Sequence, residues 1–179
     1  MMALDESEEQ RIAQWYNSLS NSYDQLYGQE QANKHRAVIE FIRNERFKIL
    51  VDLGCGSGML LQNASRFYEH AVGIDLSIGM LRAAKKKGSG ATDLIQASLR
   101  TLPIKNNAAD CLISISTLKV DSKLPLFLDE MKRICNQHSL MAVSLFHQAY
   151  EQLPLFLSGF AGSSKISHRE TVYFFKFNG

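Results

Sequence analysis

Between residues 49 and 146 short apolar runs alternate with amphipathic stretches. This is the pattern of strands joined by helices that cover a mostly parallel sheet. Strands are predicted at 49–53, 71–75, 93–97, 110–116 and 139–146. Ile49-Leu50-Val51 and Met141-Ala142-Val143 are continuously apolar, as strands buried on both faces require. Helices are predicted at 58–68, 78–87 and 125–136, the last with Pro125 in its first turn. Upstream, Ile12, Trp15, Tyr16 and Leu19 share one helical face, and Val38, Ile39 and Ile42 share another on a second helix. These two helices are expected to cap the sheet. Downstream, 150–160 reads as a further helix, and 165–169 with 171–177 as a terminal hairpin. Residues 102–109 form the one long loop inside this core.

The length of 179 residues fits a single unit with a real core, and no repeat or Pro/Gly/Ser-rich linker divides it. The expected organisation is one domain over 1–179: a helical cap over 1–45, a ligand-binding core over 46–147, and a helix plus hairpin over 148–179. Residues 1–10 carry four acidic side chains and no basic stretch leading into an apolar one, so they read neither as a secretory signal nor as a transit peptide. No apolar run reaches the length of a bilayer span, and a cytoplasmic location with no membrane association is the expectation. A formal net charge of +2 provides no field strong enough to hold nucleic acid unaided. Cys55, Cys111 and Cys135 lie far apart without a C-x-x-C pair or histidines at metal-ligand spacing; free thiols and no metal are expected.

The most informative segment is Val51-Asp52-Leu53-Gly54-Cys55-Gly56-Ser57-Gly58, a buried strand running into three alternate glycines and then a helix. Glycines so placed strip side chains from the turn and let a ligand lie on the backbone amides at the start of the next helix. A P-loop needs G-x-x-x-x-G-K-[ST], and no lysine follows these glycines. A dinucleotide fingerprint needs G-x-G-x-x-G; here the third glycine comes one position early, and Asp52 sets a negative charge where a pyrophosphate would lie. A carboxylate suits a cation instead. S-adenosylmethionine carries a sulfonium and an ammonium but no phosphate. At the end of the next strand, the Asp75 carboxylate can accept hydrogen bonds from both ribose hydroxyls, as in any adenosine site, and Leu76 beside it can pack on an adenine face. Ser77, placed before Ile78, is the better helix N-cap.

These residues resemble the class I S-adenosylmethionine-dependent methyltransferases. VDLGCGSG is similar to the first motif of that family, VGIDLSIGML to its second, and LIQASLRTLPIKNNAADCLISIS to the region between its third and fifth strands. FLDEMKRIC resembles the helix before the fifth strand. The likeness runs from about Tyr23 to Phe146 and is greatest for the small-molecule C- and O-methyltransferases that include quinone-biosynthesis enzymes. It implies an α/β, Rossmann-like, doubly wound and mostly parallel seven-stranded sheet, with helices on both faces and a C-terminal antiparallel hairpin. It also implies S-adenosyl-L-methionine as cofactor, with Asp52, Gly54, Cys55 and Gly56 at its methionine end and Asp75 at the ribose. Leu76, Ser98 and Leu99 fall at the adenine, and Ser116 and Tyr23 at the reacting end. Tyr23-Asp24 corresponds to an element that folds over the cofactor.

Three departures stand out. Ser98 replaces the acid that usually holds the adenine amino group, with Gln96 or the Leu99 backbone available to share its role. His138-Ser139 replaces a tight Gly-Gly turn before the fifth strand. No [DN]-P-P-[FY] follows the fourth strand, where the chain reads Ser114-Ile115-Ser116-Thr117-Leu118; that speaks against exocyclic or amide nitrogen as the target. There is also no Pro-Cys pair for attack on a pyrimidine, and Cys55 and Cys111 are expected to be core or backbone residues. Lys85-Lys86-Lys87 reads as a solvated helix terminus matched to the helix dipole. Of His35, His70, His138, His147 and His168, only His147 stands beside the fifth strand as a candidate base; no catalytic residue is assigned. Trp15 and Tyr16 suit either a pocket wall or cap packing, and 153–160 either a cover for the substrate mouth or packing on the sheet.

A small molecule is the expected methyl acceptor. Two other readings remain open: a tRNA or protein substrate recognised with a partner subunit, and a non-catalytic cofactor-binding subunit. The sequence assigns no oligomeric state.

Overall fold

A computed structural model describes residues 3–88, 90–118, 124–146, 160–167 and 170–177. Helices α1 (Ala3–Leu19) and α2 (Tyr23–Ile42) precede β1 (Phe47–Leu53), α3 (Met59–Asn63), β2 (Tyr68–Asp75), α4 (Ile78–Lys87) and β3 (Thr92–Gln96). Then follow β4 (Ala109–Leu118), α5 (Leu124–Ile134), β5 (Cys135–Phe146), β6 (Phe160–Ser167) and β7 (Glu170–Phe177). The seven strands form one sheet in the order β3-β2-β1-β4-β5-β7-β6. The first five run parallel, while β7 pairs antiparallel with both β5 and β6. The mostly parallel α/β sheet closed by a C-terminal hairpin is therefore as expected.

The period-2 alternation of the strands divides the core into two layers. Leu50, Ala71, Cys111, Ile113, Ala142 and Val172 face one side, where Val38 and Ile42 of α2 and Leu60 and Leu61 of α3 cover them. Val51, Val72, Leu112, Met141 and Val143 face the other, under Leu128, Met131 and Ile134 of α5. Helices thus cover both faces, as the continuous apolar runs require. All three cysteines are buried free thiols.

Several boundaries differ from the sequence reading. The first crossover helix spans only Met59–Asn63, because β2 begins at Tyr68, where the ring is buried and its hydroxyl donates to Leu61 O at 3.1 Å. β5 starts at Cys135, directly after α5. No Gly-Gly turn is needed there: Asn136 Oδ1 accepts from the His138 amide at 2.9 Å, and Ser139 Oγ donates to Ala109 O at 2.6 Å. β6 runs Phe160–Ser167, earlier than the predicted 165–169. The helix predicted at 150–160 falls outside the described residues except for Phe160, which opens β6. Helix α1 packs on α4, where Asn17 Oδ1 accepts from Ser77 Oγ at 2.7 Å and from the Gly79 amide at 2.8 Å.

The long loop before β4 is stapled by α5. The Arg133 guanidinium donates to Leu102 O at 3.0 Å and Ile104 O at 2.7 Å, while Glu130 Oε2 accepts the Leu102 amide at 2.7 Å.

Candidate nucleoside and methyl-transfer site

β1 hands the chain to β2 on one side, and β4 lies on its other side, so the strand order reverses between β1 and β4. Ligands of open α/β sheets lie at such a switch point, beyond the carboxyl ends of the strands. A cavity of about 510 Å³ sits there, within the roughly 300–1,000 Å³ range of small-molecule sites. Gly54 and Gly56 after β1, Asp75 and Leu76 after β2, and Ile115, Ser116 and Thr117 of β4 line it from below. Leu99 and Phe127 form a flank, and Ile12, Trp15, Tyr16 and Tyr23 of α1 and α2 form the roof.

The glycines of the loop are required by its own geometry. Gly54, Gly56 and Gly58 all have positive φ, at 73°, 53° and 76°, a region costly for residues with a side chain. A Cβ on Gly54 would stand 2.2 Å from Thr117 Oγ1, and one on Gly58 would stand 2.9 Å from the Ala84 Cβ. The loop amides are committed to β2: Gly54 and Cys55 both donate to Ile74 O, at 2.7 and 3.0 Å, and Gly56 donates to Asp75 Oδ2 at 2.9 Å. These amides were expected to face the ligand directly. Instead they anchor the loop and orient the carboxylate of Asp75.

Asp75 is held at the β2 tip by that bond and by the Ser77 amide, 2.8 Å from Oδ1. Each oxygen keeps a further lone pair for an incoming hydroxyl. Burial raises its pKa above the usual carboxylate range, opposed by the backbone bonds. Ser77 is the N-cap of α4, accepting from the Met80 amide at 3.1 Å.

Asp52 departs from the simplest expectation. It does not sit charged at the loop mouth but is 3% exposed, behind the glycine turn. Burial, reinforced by Asp75, pushes its carboxyl up to about 8. Without a cation it therefore holds its proton at neutral pH; a nearby positive charge restores the carboxylate. Such a buried acid, raised further by a second carboxylate, fits a cationic ligand better than a phosphate-bearing one.

Of the other predicted residues, Cys55 is buried with its thiol pushed well up by desolvation, and a Cβ at Gly73 would lie 2.9 Å from its Sγ. It packs the loop rather than lining the cavity. Ser98 lies just outside the lining; its Oγ donates to Glu9 Oε1 at 2.7 Å and accepts from the Arg100 amide at 3.1 Å. Tyr23 lines the roof beside Tyr16, with ring centroids 6.1 Å apart, and burial raises both phenols.

The structure also shows residues that sequence reasoning passed over. Lys87 is not merely a solvated helix terminus: its Nζ donates to Ser57 O at 3.0 Å and Ser57 Oγ at 2.8 Å and pairs with Asp24. Beneath Ser116 lies a buried ionic network. Lys34 Nζ reaches Glu170 Oε1 at 2.7 Å, Ser116 Oγ at 2.8 Å and Glu30 Oε1 at 2.8 Å. Ser116 has φ 58° and donates its amide to Ser144 Oγ, which in turn bonds Glu170 Oε2. A lysine within a helix and a glutamate opening the last strand carry no sequence signal that would pair them.

His35 is buried and its pKa is lowered to about 4 by desolvation and by Lys34, and His70 pairs at the surface with Asp93. His147 and His168 lie outside the described residues. Among the described residues no cluster of three or more His, Cys, Asp or Glu is arranged to hold a metal, and no helix is long and apolar enough to cross a membrane.

A switch-point cavity with a glycine turn below, an acid at the second strand tip and an aromatic roof defines an α/β nucleoside-binding protein. A family model described as a methyltransferase domain matches residues 51–143, and the chain belongs to this family, the class I S-adenosylmethionine-dependent methyltransferases. S-adenosylmethionine is the family's cofactor.

Among relatives, an uncharacterised protein of Methanocaldococcus jannaschii is 31% identical over 131 residues, covering 71% of this chain and 48% of its own length. The 2-phytyl-1,4-naphtoquinone methyltransferase of Nostoc sp. PCC 7120 is 24% identical over 154 residues, covering 79% of this chain and 67% of its own. Among solved structures, magnesium protoporphyrin IX methyltransferase of Synechocystis PCC 6803 with bound S-adenosylmethionine superposes with a TM-score of 0.77 at 15% identity. That match covers 94% of this chain and 96% of the other. The chain spans about half the length of the first of these relatives.

Proposed function

We propose that this chain transfers the methyl group of S-adenosylmethionine to a small-molecule acceptor. The observation that carries the reading is the pairing of two acids at adjacent strand ends: Asp75, which lines a cavity of about 510 Å³, and Asp52, buried behind the glycine turn that also lines it. The residues present suit the cofactor: Asp75 has spare acceptor capacity for ribose hydroxyls, Leu76 and Leu99 offer apolar faces for a base, and Asp52 lacks a counter-charge.

When bound, the cofactor supplies an activated methyl group and a neutral thioether leaving group. The protein's share of the work is positioning and exclusion of water. Asp52 and the backbone carbonyls of Gly54 and Gly56 would bind the methionine end, Asp75 the ribose, and Leu76, Leu99 and Ser98 the base. Tyr16 and Tyr23 roof the reacting end opposite Ser116 and keep bulk water out. Cys55 supports the loop from behind.

A small acceptor is favoured because Ile12, Trp15 and Tyr16 of α1 lie over the cavity, so that cofactor and acceptor share one confined space. The names of the Nostoc and Synechocystis relatives, which speak of a naphthoquinone and a porphyrin, agree with that choice. A labelled-methyl assay tests it, offering phenols, quinols and carboxylic acids in one arm and tRNA and protein extract in the other. Label in the small-molecule fraction is the expected result; label found only in RNA or protein contradicts it.

A further inference from the structure

In the reading above an adenine base would lie between Leu76 and Leu99, and on that side of the cavity Arg100 and Glu9 also belong to the lining. The amino group of adenine is a pair of hydrogen-bond donors. A donor buried there without an acceptor loses its hydration uncompensated. Asp75 is committed to the loop and, in the reading above, to the ribose. The acceptor must come from elsewhere.

Ser98 follows β3 on this side, but its hydroxyl is heavily used, and the Gln96 amide is tied to Leu76 O at 2.9 Å. Ser98 gives its only proton to Glu9 Oε1, 2.7 Å away, and takes the Arg100 amide at 3.1 Å. Glu9 has capacity to spare. Its Oε1 receives Ser98 Oγ and faces Arg100 Nε at 3.0 Å, whereas a carboxylate offers about four lone-pair sites over two oxygens. As an ionised acceptor it also makes bonds roughly twice as strong as a neutral one. Both Glu9 and Arg100 line the cavity, with the Glu9 side chain 25% exposed.

α1 holds Glu9 in this place. At the other end of the helix Asn17 is locked to Ser77 and Gly79, next to Asp75. Gly79 lets the two helices meet closely, since a Cβ there would stand 3.1 Å from the Asn17 Cα. From Asn17 back to Glu9 a helix rising 1.5 Å per residue covers about 12 Å, from the ribose side of the cavity to the base side. Glu9, Ile12 and Tyr16 follow an i, i+3, i+7 spacing, which puts them on one helical face, and all three line the cavity.

We propose that Glu9, carried by the N-terminal helix rather than by the sheet, is the acceptor for the adenine amino group and sets the preference for a 6-amino over a 6-oxo purine. The inference rests on the cofactor reading above. It makes α1 part of the cofactor site, so docking of that helix and binding of the nucleoside are linked.

The test compares calorimetric binding of S-adenosylhomocysteine and of its 6-oxo analogue, S-inosylhomocysteine, to the full chain and to Glu9→Ala and Glu9→Gln. Loss of a bond to a charged acceptor predicts that Glu9→Ala binds S-adenosylhomocysteine about 10- to 100-fold more weakly. Glutamine can both accept and donate, so Glu9→Gln is expected to bring the amino/oxo affinity ratio from well above one in the parent to near one. A residue that only braced Ser98 and Arg100 would alter both affinities together and leave the ratio unchanged. An unchanged ratio in Glu9→Gln, or S-adenosylhomocysteine affinity in Glu9→Ala within twofold of the parent, overturns the proposal. If the parent chain bound neither ligand, the cofactor reading itself would fall, a result distinct from either.

Discussion

Lys34 of α2 and Glu170 of β7 form an ion pair of 2.7 Å with both side chains withdrawn from solvent, directly beneath Ser116 at the floor of the cavity. Two elements at opposite ends of the chain are thereby fastened under the reacting end of the site. Breaking such a pair from one side leaves a buried charge uncompensated, at about 3–5 kcal/mol. Lys34→Met and Glu170→Gln are each expected to lower the urea midpoint sharply. Lys34→Met combined with Glu170→Leu should cost much less than the sum of Lys34→Met and Glu170→Leu. Additive losses in the double mutant would contradict the pairing.

Asp52 predicts a pH dependence of stability in the ligand-free protein. Its folded-state pKa of about 8 lies above the unfolded value of 3.8, so the native chain keeps a proton that the unfolded chain has released. The sign is fixed by that excess: stability declines as pH rises between about 4 and 8, and this contribution is constant above. Asp52→Asn should flatten the decline and stabilise the ligand-free chain at alkaline pH, as followed by chemical denaturation at several pH values. A decline of unaltered slope in the variant would remove Asp52 as its source.

The same acid couples cofactor binding to proton release. A cation arriving beside a protonated Asp52 favours its carboxylate, so S-adenosylhomocysteine, through its ammonium group, should bind more tightly as pH rises from about 6.5 to 8. Calorimetry in buffers of different ionisation enthalpy should report release of a proton on binding. Net proton uptake at pH 7 would refute the coupling.

Lys87 should be separable from its two neighbours. It alone of the three lysines reaches the glycine loop, through Ser57 O and Oγ, while also pairing with Asp24 at the start of α2. Lys87→Ala is expected to raise the dissociation constant for S-adenosylhomocysteine several-fold, because the loop keeps only the direct Ser57–Asp24 bond to α2 and loses the lysine that neutralises it, whereas Lys85→Ala and Lys86→Ala should leave it unchanged. Equal effects at all three positions would return the cluster to a solvated helix end.

Arg133 offers a test of how the loop before β4 is fixed. Its guanidinium serves the carbonyls of both Leu102 and Ile104, a forked geometry that lysine cannot reproduce. Arg133→Lys is therefore expected to destabilise the chain by about 1–3 kcal/mol in denaturant unfolding and to speed amide exchange at Leu102. Parent-like stability in this variant would mean that the loop is fixed by other contacts.

The strands and the acids at their tips were legible in the sequence because period-2 apolar runs and a glycine triplet are local signals. Val51, Val72 and Leu112 announce buried parallel strands by themselves, and Asp75 follows from its place at the end of one. Residues whose role depends on where the chain returns were not legible. Asp52 reads as a charge until burial shows that it keeps its proton, and Lys87 reads as a helix end until α2 brings Asp24 to it. Glu9 lies 89 residues from Ser98, which it meets only because α1 lies over the sheet ends. The helix after the glycines was predicted too long because Tyr68, apolar enough for either element, is drawn into β2 alongside Phe47.

The central claim is that two acids below a glycine turn make this cavity fit a cationic nucleoside. It is tested most directly by titrating the purified chain with S-adenosylhomocysteine, NAD and ATP under identical conditions. Saturable binding of S-adenosylhomocysteine at least tenfold tighter than either phosphate-bearing ligand is the predicted result. Equal or tighter binding of NAD or ATP would contradict it.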